Sequence, residues 1–186
     1  MAKLMDWDVR YREELKNPGR PPREWLTDHA DLLRGGGVCF EPAMGLAWNF
    51  PFLFSLGYTV WGVEISAVAA RYAARLYPQA RVILCDLSRF SFAADSFNLI
   101  SHFFFLDLDL MRQYDRFLKP GGLVIMETLT VAMLSIHPDT PPQRLLKPGQ
   151  LGELFTGWQI LDYREGWVEE RAGHPKSVAS IVARKI

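Results

Sequence analysis

The chain is short of cysteine, of net charge and of long apolar runs. Its two cysteines, Cys39 and Cys85, both sit inside apolar stretches. That placement argues against a disulfide framework or a thiolate metal cluster and for buried thiols in a reducing compartment, the cytoplasm. Lys and Arg number 21, and so do Asp and Glu. With no positive excess, no field draws the protein to a phosphate backbone, and nucleic acid is not an expected partner. No window reaches the roughly 18 apolar residues of a membrane span, so no membrane segment is expected. The amino terminus, "MAKLMDWDVRYREELK", is charged and lacks the apolar core of a leader. His29, His102, His137 and His174 are scattered without the spacing of a zinc pair, so no metal is expected. No internal repeat or low-complexity linker is found. The G-x-G-x-x-G fingerprint that cradles a dinucleotide pyrophosphate is also missing, which weighs against a nicotinamide-dependent reductase.

What is present is a globular composition, 49% apolar and 23% charged over 186 residues. That suits a single domain over residues 1–186, with a core that removes about two thirds of the unfolded surface from water. Residues 1–34 read as two amino-terminal helices. The second, "PPREWLTDHADLL", opens on prolines and spaces Trp25, Leu26, His29, Leu32 and Leu33 on one helical face before "RGGG" stops it. Strand-like and helix-like runs then alternate. "VCF", "YTVWGVEI", "RVILCDL", "FNLISHFFF" and "LVIMETL" read as strands, while "AVAARYAARLY" and "DLDLMRQYDRFL" read as helices, the latter ended by "KPGG". Continuous apolar strands separated by helices require a parallel sheet covered on both faces. The last third carries a proline-rich connection, a short helix in "KPGQLGELF" and two strands joined by "RAGHPK". The expected fold is α/β, a Rossmann-like three-layer sandwich with a mostly parallel seven-stranded sheet and an antiparallel hairpin at the carboxyl end.

Glu41, Glu64 and Asp86 end the first three strands, on the carboxyl edge where open α/β sheets bind ligands. A strand-terminal carboxylate accepts both hydroxyls of a ribose, which singles out Glu64 at the end of "WGVEI". Each acid, taken alone, also reads as a helix cap or a solvated group.

These residues resemble the class I S-adenosylmethionine-dependent methyltransferases, in particular the small tellurite-resistance and thiopurine-like branch. The resemblance rests on "WDVRY", "VCFEPAMGLAWN", "LGYTVWGVEIS", "CDLSRFSFAADSFNLI", "FLKPGGLVIMETLT" and "RLLKPGQLGELFTGWQILDYRE". It implies S-adenosylmethionine as cofactor and transfer of its methyl group by in-line displacement to a small acceptor, aromatic or a soft nucleophile. It further implies that Glu41, Ala43 and Gly45 lie along the methionine part and that Glu64 holds the ribose. Ile65 would pack on adenine, Asp86 and Leu87 would address its amino edge, and His102 and Phe103 would lie beside the sulfonium. Trp7 and Tyr11 would close the site from the amino-terminal helices. A soft nucleophile needs no base; for an oxygen or nitrogen acceptor, His102, Asp107, Tyr11 and His137 are the available groups.

The first motif departs from the family pattern. Pro42 follows the acid directly, and Ala47 stands where glycine is usual. If the backbone there takes a positive φ, the methyl costs about 1 kcal/mol; at an ordinary helix start it costs nothing. The departures support an alternative expectation, a methyltransferase fold that has lost catalysis and acts as a scaffold or regulatory partner.

Overall fold

The computed structural model describes residues 6–169 and 174–186. The chain forms two compact units, Met1–Ser91 and Phe92–Ile186.

The first unit opens with α1 (Trp7–Glu14), whose N-cap Asp6 accepts from the Val9 N–H at 3.2 Å. No residue of α1 is fully buried. Helix α2 (Glu24–Asp28) stops sooner than its apolar spacing predicts. Beyond it the chain runs in tight turns, Leu32 N–H to His29 O and Leu33 N–H to Ala30 O. Leu33 therefore still reaches the core without a continued helix.

Three parallel strands follow: β1 (Gly37–Pro42), β2 (Tyr58–Glu64) and β3 (Arg81–Leu84). Between β1 and β2, α3 (Phe50–Ser55) carries Pro51 in its first turn, where a missing N–H costs nothing. Between β2 and β3, α4 (Ala67–Leu76) is capped by Ser66 Oγ, which accepts from Ala69 N–H at 3.2 Å. Ala69, Ala70 and Ala73 form its buried face. In β2, Gly62 is fixed by crowding: a Cβ there would fall on the Met44 sulfur and come within 2.7 Å of the Phe50 ring. β3 is only partly covered. Cys39 is buried as expected, whereas Cys85, just past β3, is half-exposed.

In the second unit β4 (Phe97–Phe103) pairs parallel with β5 (Leu118–Leu129). The helix expected over "DLDLMRQYDRFL" divides into α5 (Leu108–Met111) and α6 (Tyr114–Phe117). As expected, α6 stops just before "KPGG", but the segment is not a free turn: it forms a bulge inside β5. Phe97 pairs with Leu118 and Leu99 with Leu123, so the intervening residues loop out, and Gly121 supplies the positive φ of 76°. After the connection comes α7 (Gln150–Leu154), then β6 (Gln159–Glu169) and β7 (Pro175–Arg184), antiparallel to each other, with β7 antiparallel to β5. The polar join expected between them lies partly in residues 170–173, outside the described residues. The seven-stranded sheet has the order β3-β2-β1-β4-β5-β7-β6. It is the expected mostly parallel sheet with its antiparallel carboxyl-terminal strands.

Candidate functional site

In the first unit the loop after β1 carries the motif residues. Glu41 is buried, and Asn49 Nδ2 donates to its Oε1 at 3.0 Å while Asn49 Oδ1 accepts from Arg23 N–H at 3.0 Å. Asn49 thus ties the acid to the start of α2. Along the loop, φ is positive at alternate residues: 48° at Ala43, 56° at Gly45 and 60° at Ala47. The open question about Ala47 is answered, because its methyl sits on left-handed backbone, and Ala43 carries the same strain. We expect Ala43→Gly, at a half-buried position, to raise the melting temperature by about 2–4 °C, the equivalent of about 1 kcal/mol. Ala47→Gly gains less, because it also gives up a fully buried methyl, worth about 0.8 kcal/mol. Thermal unfolding by calorimetry reads both; a destabilised Ala43→Gly variant would contradict the strain argument.

Glu64, at the end of β2, is 3% exposed. Its Oε2 accepts from Gly45 N–H at 2.9 Å and its Oε1 from Ser66 N–H at 2.8 Å. Burial raises the carboxyl pKa; the backbone donors at Ser66, Gly45 and Ile65 oppose the rise, and the charge of Asp8 adds to it. The result is a desolvated carboxylate in a frame of amides, with acceptor capacity left on each oxygen.

Helix α1 lies against this frame. Asp8 Oδ1 accepts from Ser66 Oγ at 2.5 Å and from Val68 N–H at 3.2 Å, which keeps its carboxyl below the usual range. One turn later Tyr11 stands so close to the loop that a Cβ on Gly45 would come within 2.8 Å of its hydroxyl. Burial, then the charge of Glu64, pushes the Tyr11 phenol upward, so it stays protonated. Trp7 stacks on Tyr11 with centroids 5.8 Å apart. A cavity of about 440 Å³ opens beside this helix, walled by Trp7 and Asp8, by Ile65 and Ser66, and by Leu84, Cys85 and Asp86. Ile65 and Leu84 expose more than half their surface, a flat apolar lining. Asp86 accepts from Ser88 N–H at 2.9 Å and starts a short 3-10 turn over Leu87–Arg89.

Of the expected residues, Trp7, Tyr11, Glu41, Ala43, Gly45, Glu64, Ile65, Asp86 and Leu87 all fall in this unit, on α1 and on the segments that end β1, β2 and β3. In the second unit, His102 and Phe103 end β4. His102 is fully buried. Its Nε2–H donates to the Phe105 carbonyl at 2.6 Å, and its Nδ1 accepts from the Tyr114 hydroxyl at 2.7 Å. Burial drives its pKa down to about 4. With both nitrogens engaged, it has no lone pair left for an acceptor's proton. Asp107 caps α5, accepting from Leu110 N–H at 2.9 Å and Asp109 N–H at 3.1 Å. His137 is exposed, just past a 3-10 turn over Val131–Ser135. Among the described residues no group of His, Cys, Asp or Glu could hold a metal ion, and no helix is long and apolar enough to cross a membrane.

Three side chains of the frame were not expected from the sequence: Asp8, Ser66 and Asn49. Ser66, before the alanine-rich helix, carries a readable capping signal. Asp8 and Asn49 do not, since the partners of Asp8 lie about 60 positions away.

An acid ending β2, an amide-rich loop after β1 and this sheet order together define a known arrangement. Residues 40–126 match the family model of the methyltransferase domain. The fold is that of the S-adenosylmethionine-dependent methyltransferases, as solved structures show. One such enzyme of Methanosarcina mazei is 19% identical with a TM-score of 0.71, over 90% of this chain and 99% of that one. TehB of Haemophilus influenzae is 15% identical with a TM-score of 0.72, over 97% and 67%. Geranyl diphosphate C-methyltransferase of Streptomyces coelicolor A3(2), solved with Mg2+, geranyl diphosphate and S-adenosyl-L-homocysteine, is 13% identical with a TM-score of 0.66, over the whole of both chains. A search of curated proteins by sequence finds no match. The methyltransferase match runs from Phe40 within β1 to Met126 within β5 and so includes Glu41, Gly45, Glu64 and Asp86.

Proposed function

We propose that the protein is an S-adenosylmethionine-dependent methyltransferase acting on a small-molecule acceptor, in the cytoplasm. The observation that carries this reading is Glu64, a buried carboxylate whose amide partners leave it acceptor capacity, beside a cavity of nucleoside size. Glu64 would hold the ribose hydroxyls. Ile65 and Leu84 would pack on the faces of the adenine, and Asp86 with Leu87 would address its amino edge. The loop from Glu41 through Ala43 to Gly45 would follow the methionine part, and Trp7 and Tyr11 would cover it. When bound, the cofactor supplies an electrophilic methyl group on a sulfonium. The chain's own contribution would be orientation and exclusion of water, which recovers about 7–11 kcal/mol of barrier in well-aligned systems. His102 with both nitrogens occupied, Asp107 engaged as a cap and Tyr11 held as a phenol leave little for general-base work. That favours an acceptor needing no base, a soft or already anionic nucleophile. His137 is the exposed candidate should a base be required.

A second reading, a fold that has lost catalysis, is favoured by one observation: Tyr11 stands over Gly45 on a loop already strained at Ala43 and Ala47. Calorimetric titration with S-adenosylmethionine and S-adenosylhomocysteine separates the two. The enzyme reading expects binding and a thermal shift that grows with ligand, about 2.7 kcal/mol of stabilisation at a hundredfold excess over Kd. No heat and no shift at millimolar ligand would leave the scaffold.

A further inference from the structure

We propose that Asp8 is a positioning residue for Glu64, and that α1 sets the orientation of this acid by holding the segments that supply its Ser66 and Gly45 amide partners. The inference rests on the reading of Glu64 as the ribose acceptor. Of the N–H groups that aim the carboxylate, Ser66 donates to Oε1 at 2.8 Å and Gly45 to Oε2 at 2.9 Å. Helix α1 reaches each of them. Asp8 takes the Ser66 hydroxyl and the Val68 amide, and so pins the first turn of α4, whose cap residue supplies the Oε1 donor. Tyr11 stands against Gly45, which supplies the Oε2 donor. The two side chains are three residues apart on one helical face and straddle the acid.

Helix α1 has only 8 residues, too few to persist alone in water, and it fully buries none of them. Glu14 is a further tether, accepting from Trp48 Nε1 at 3.4 Å and pairing with Arg20 at 3.1 Å. Asp8 and Tyr11 therefore couple the docking of α1 to the aim of Glu64. The titratable groups that face Glu64 are Asp8 and Tyr11 on α1; Arg12 pairs with Asp8 at 3.8 Å, the charges of Arg10, Glu14 and Arg23 act on Tyr11, and Asp6 and Asp86 stand in the wall of the adjoining cavity. Asp8 is the carboxylate whose charge acts directly on Glu64 and disfavours its ionised form.

Asp8→Asn and Asp8→Ala separate the two effects. Asparagine keeps an oxygen for Ser66 and Val68 and removes only the charge; alanine removes both. In the ligand-free protein, hydrogen exchange at the Ser66 and Gly45 amides should speed up by about tenfold or more in Asp8→Ala and much less in Asp8→Asn. S-adenosylhomocysteine should bind Asp8→Ala at least about tenfold more weakly than wild type, with Asp8→Asn in between. The acid limb of the binding profile should move to lower pH in Asp8→Asn with little change in exchange at the Ser66 and Gly45 amides; that pairing separates loss of the charge from loosening, because hydration of Glu64 would lower its pKa too but would speed exchange. Unchanged exchange in Asp8→Ala, or equal losses in both variants with no movement of the acid limb, would overturn the proposal. If wild type binds no S-adenosylhomocysteine, the functional reading falls, and the exchange of the two amides alone decides whether α1 positions Glu64.

Discussion

Glu64→Ala should weaken S-adenosylhomocysteine binding by about 100-fold, near 3 kcal/mol, with little change in stability. The binding loss follows from removing two hydroxyl bonds to a charged, desolvated acceptor, each worth about 1.5–3 kcal/mol. Stability changes little because two effects oppose. The variant no longer buries a carboxylate, a cost visible in its raised pKa, but it orphans the amides of Gly45 and Ser66. Glu64→Gln is the sharper variant, since one oxygen becomes an NH2 group that must face an amide donor, so it too should bind at least about tenfold more weakly. The pH dependence has a definite sign. The ionised form accepts the hydroxyls, so wild-type affinity is full at neutral pH and fades as the carboxyl protonates. Because burial raises the pKa, the fading begins above the ordinary glutamate value of about 4.3. Isothermal titration from pH 4.5 to 8 measures it. An unchanged affinity in Glu64→Ala would mean that the acid ending β2 does not face the ligand.

How much of this was legible in the chain follows from how local each signal is. The alternation of "YTVWGVEI" with "AVAARYAARLY" marks β2 and α4, because strand composition and helix spacing are written in neighbouring residues. Glu64 stands out because an apolar run ends on it. The backbone of Ala47 does not, since alanine in a left-handed conformation looks like alanine anywhere; only the spacing from Gly45 hints at it. The contacts of Asp8 are equally silent, because they join α1 to the far end of β2 through space. "KPGG" carried a genuine turn signal, yet the turn bulges within β5, because Leu123 continues the pairing that Leu118 begins. In "SHFFF" the ambiguity was real: one histidine among aromatics reads equally as a core group or a working one. What decides is where its two nitrogens point, which depends on Tyr114 and Phe105.

His102→Ala should cost about 3–5 kcal/mol of stability, read as a lower urea midpoint at unchanged slope. Three losses combine at one site: a cavity where a fully buried ring stood, a Tyr114 hydroxyl without its acceptor, and a Phe105 carbonyl without its donor. Tyr114→Phe removes one of those bonds and should cost about 1–2 kcal/mol. The double variant should fall short of the sum, since both substitutions break the same bond. Acid adds a further signature. Burial holds the folded-state pKa near 4, against about 6.5 in the unfolded chain, so the unfolded state takes the proton first. Stability from this group is complete above about pH 6.5 and is lost as pH falls toward 4, by at most about 3 kcal/mol. His102→Ala should therefore show a flatter decline between those values. The same series weighs the role of the residue. A clamp that joins Phe105 to Tyr114 predicts losses of stability that account for any loss of activity. A His102 variant that folded as well as wild type yet lost turnover would restore the imidazole to the chemistry.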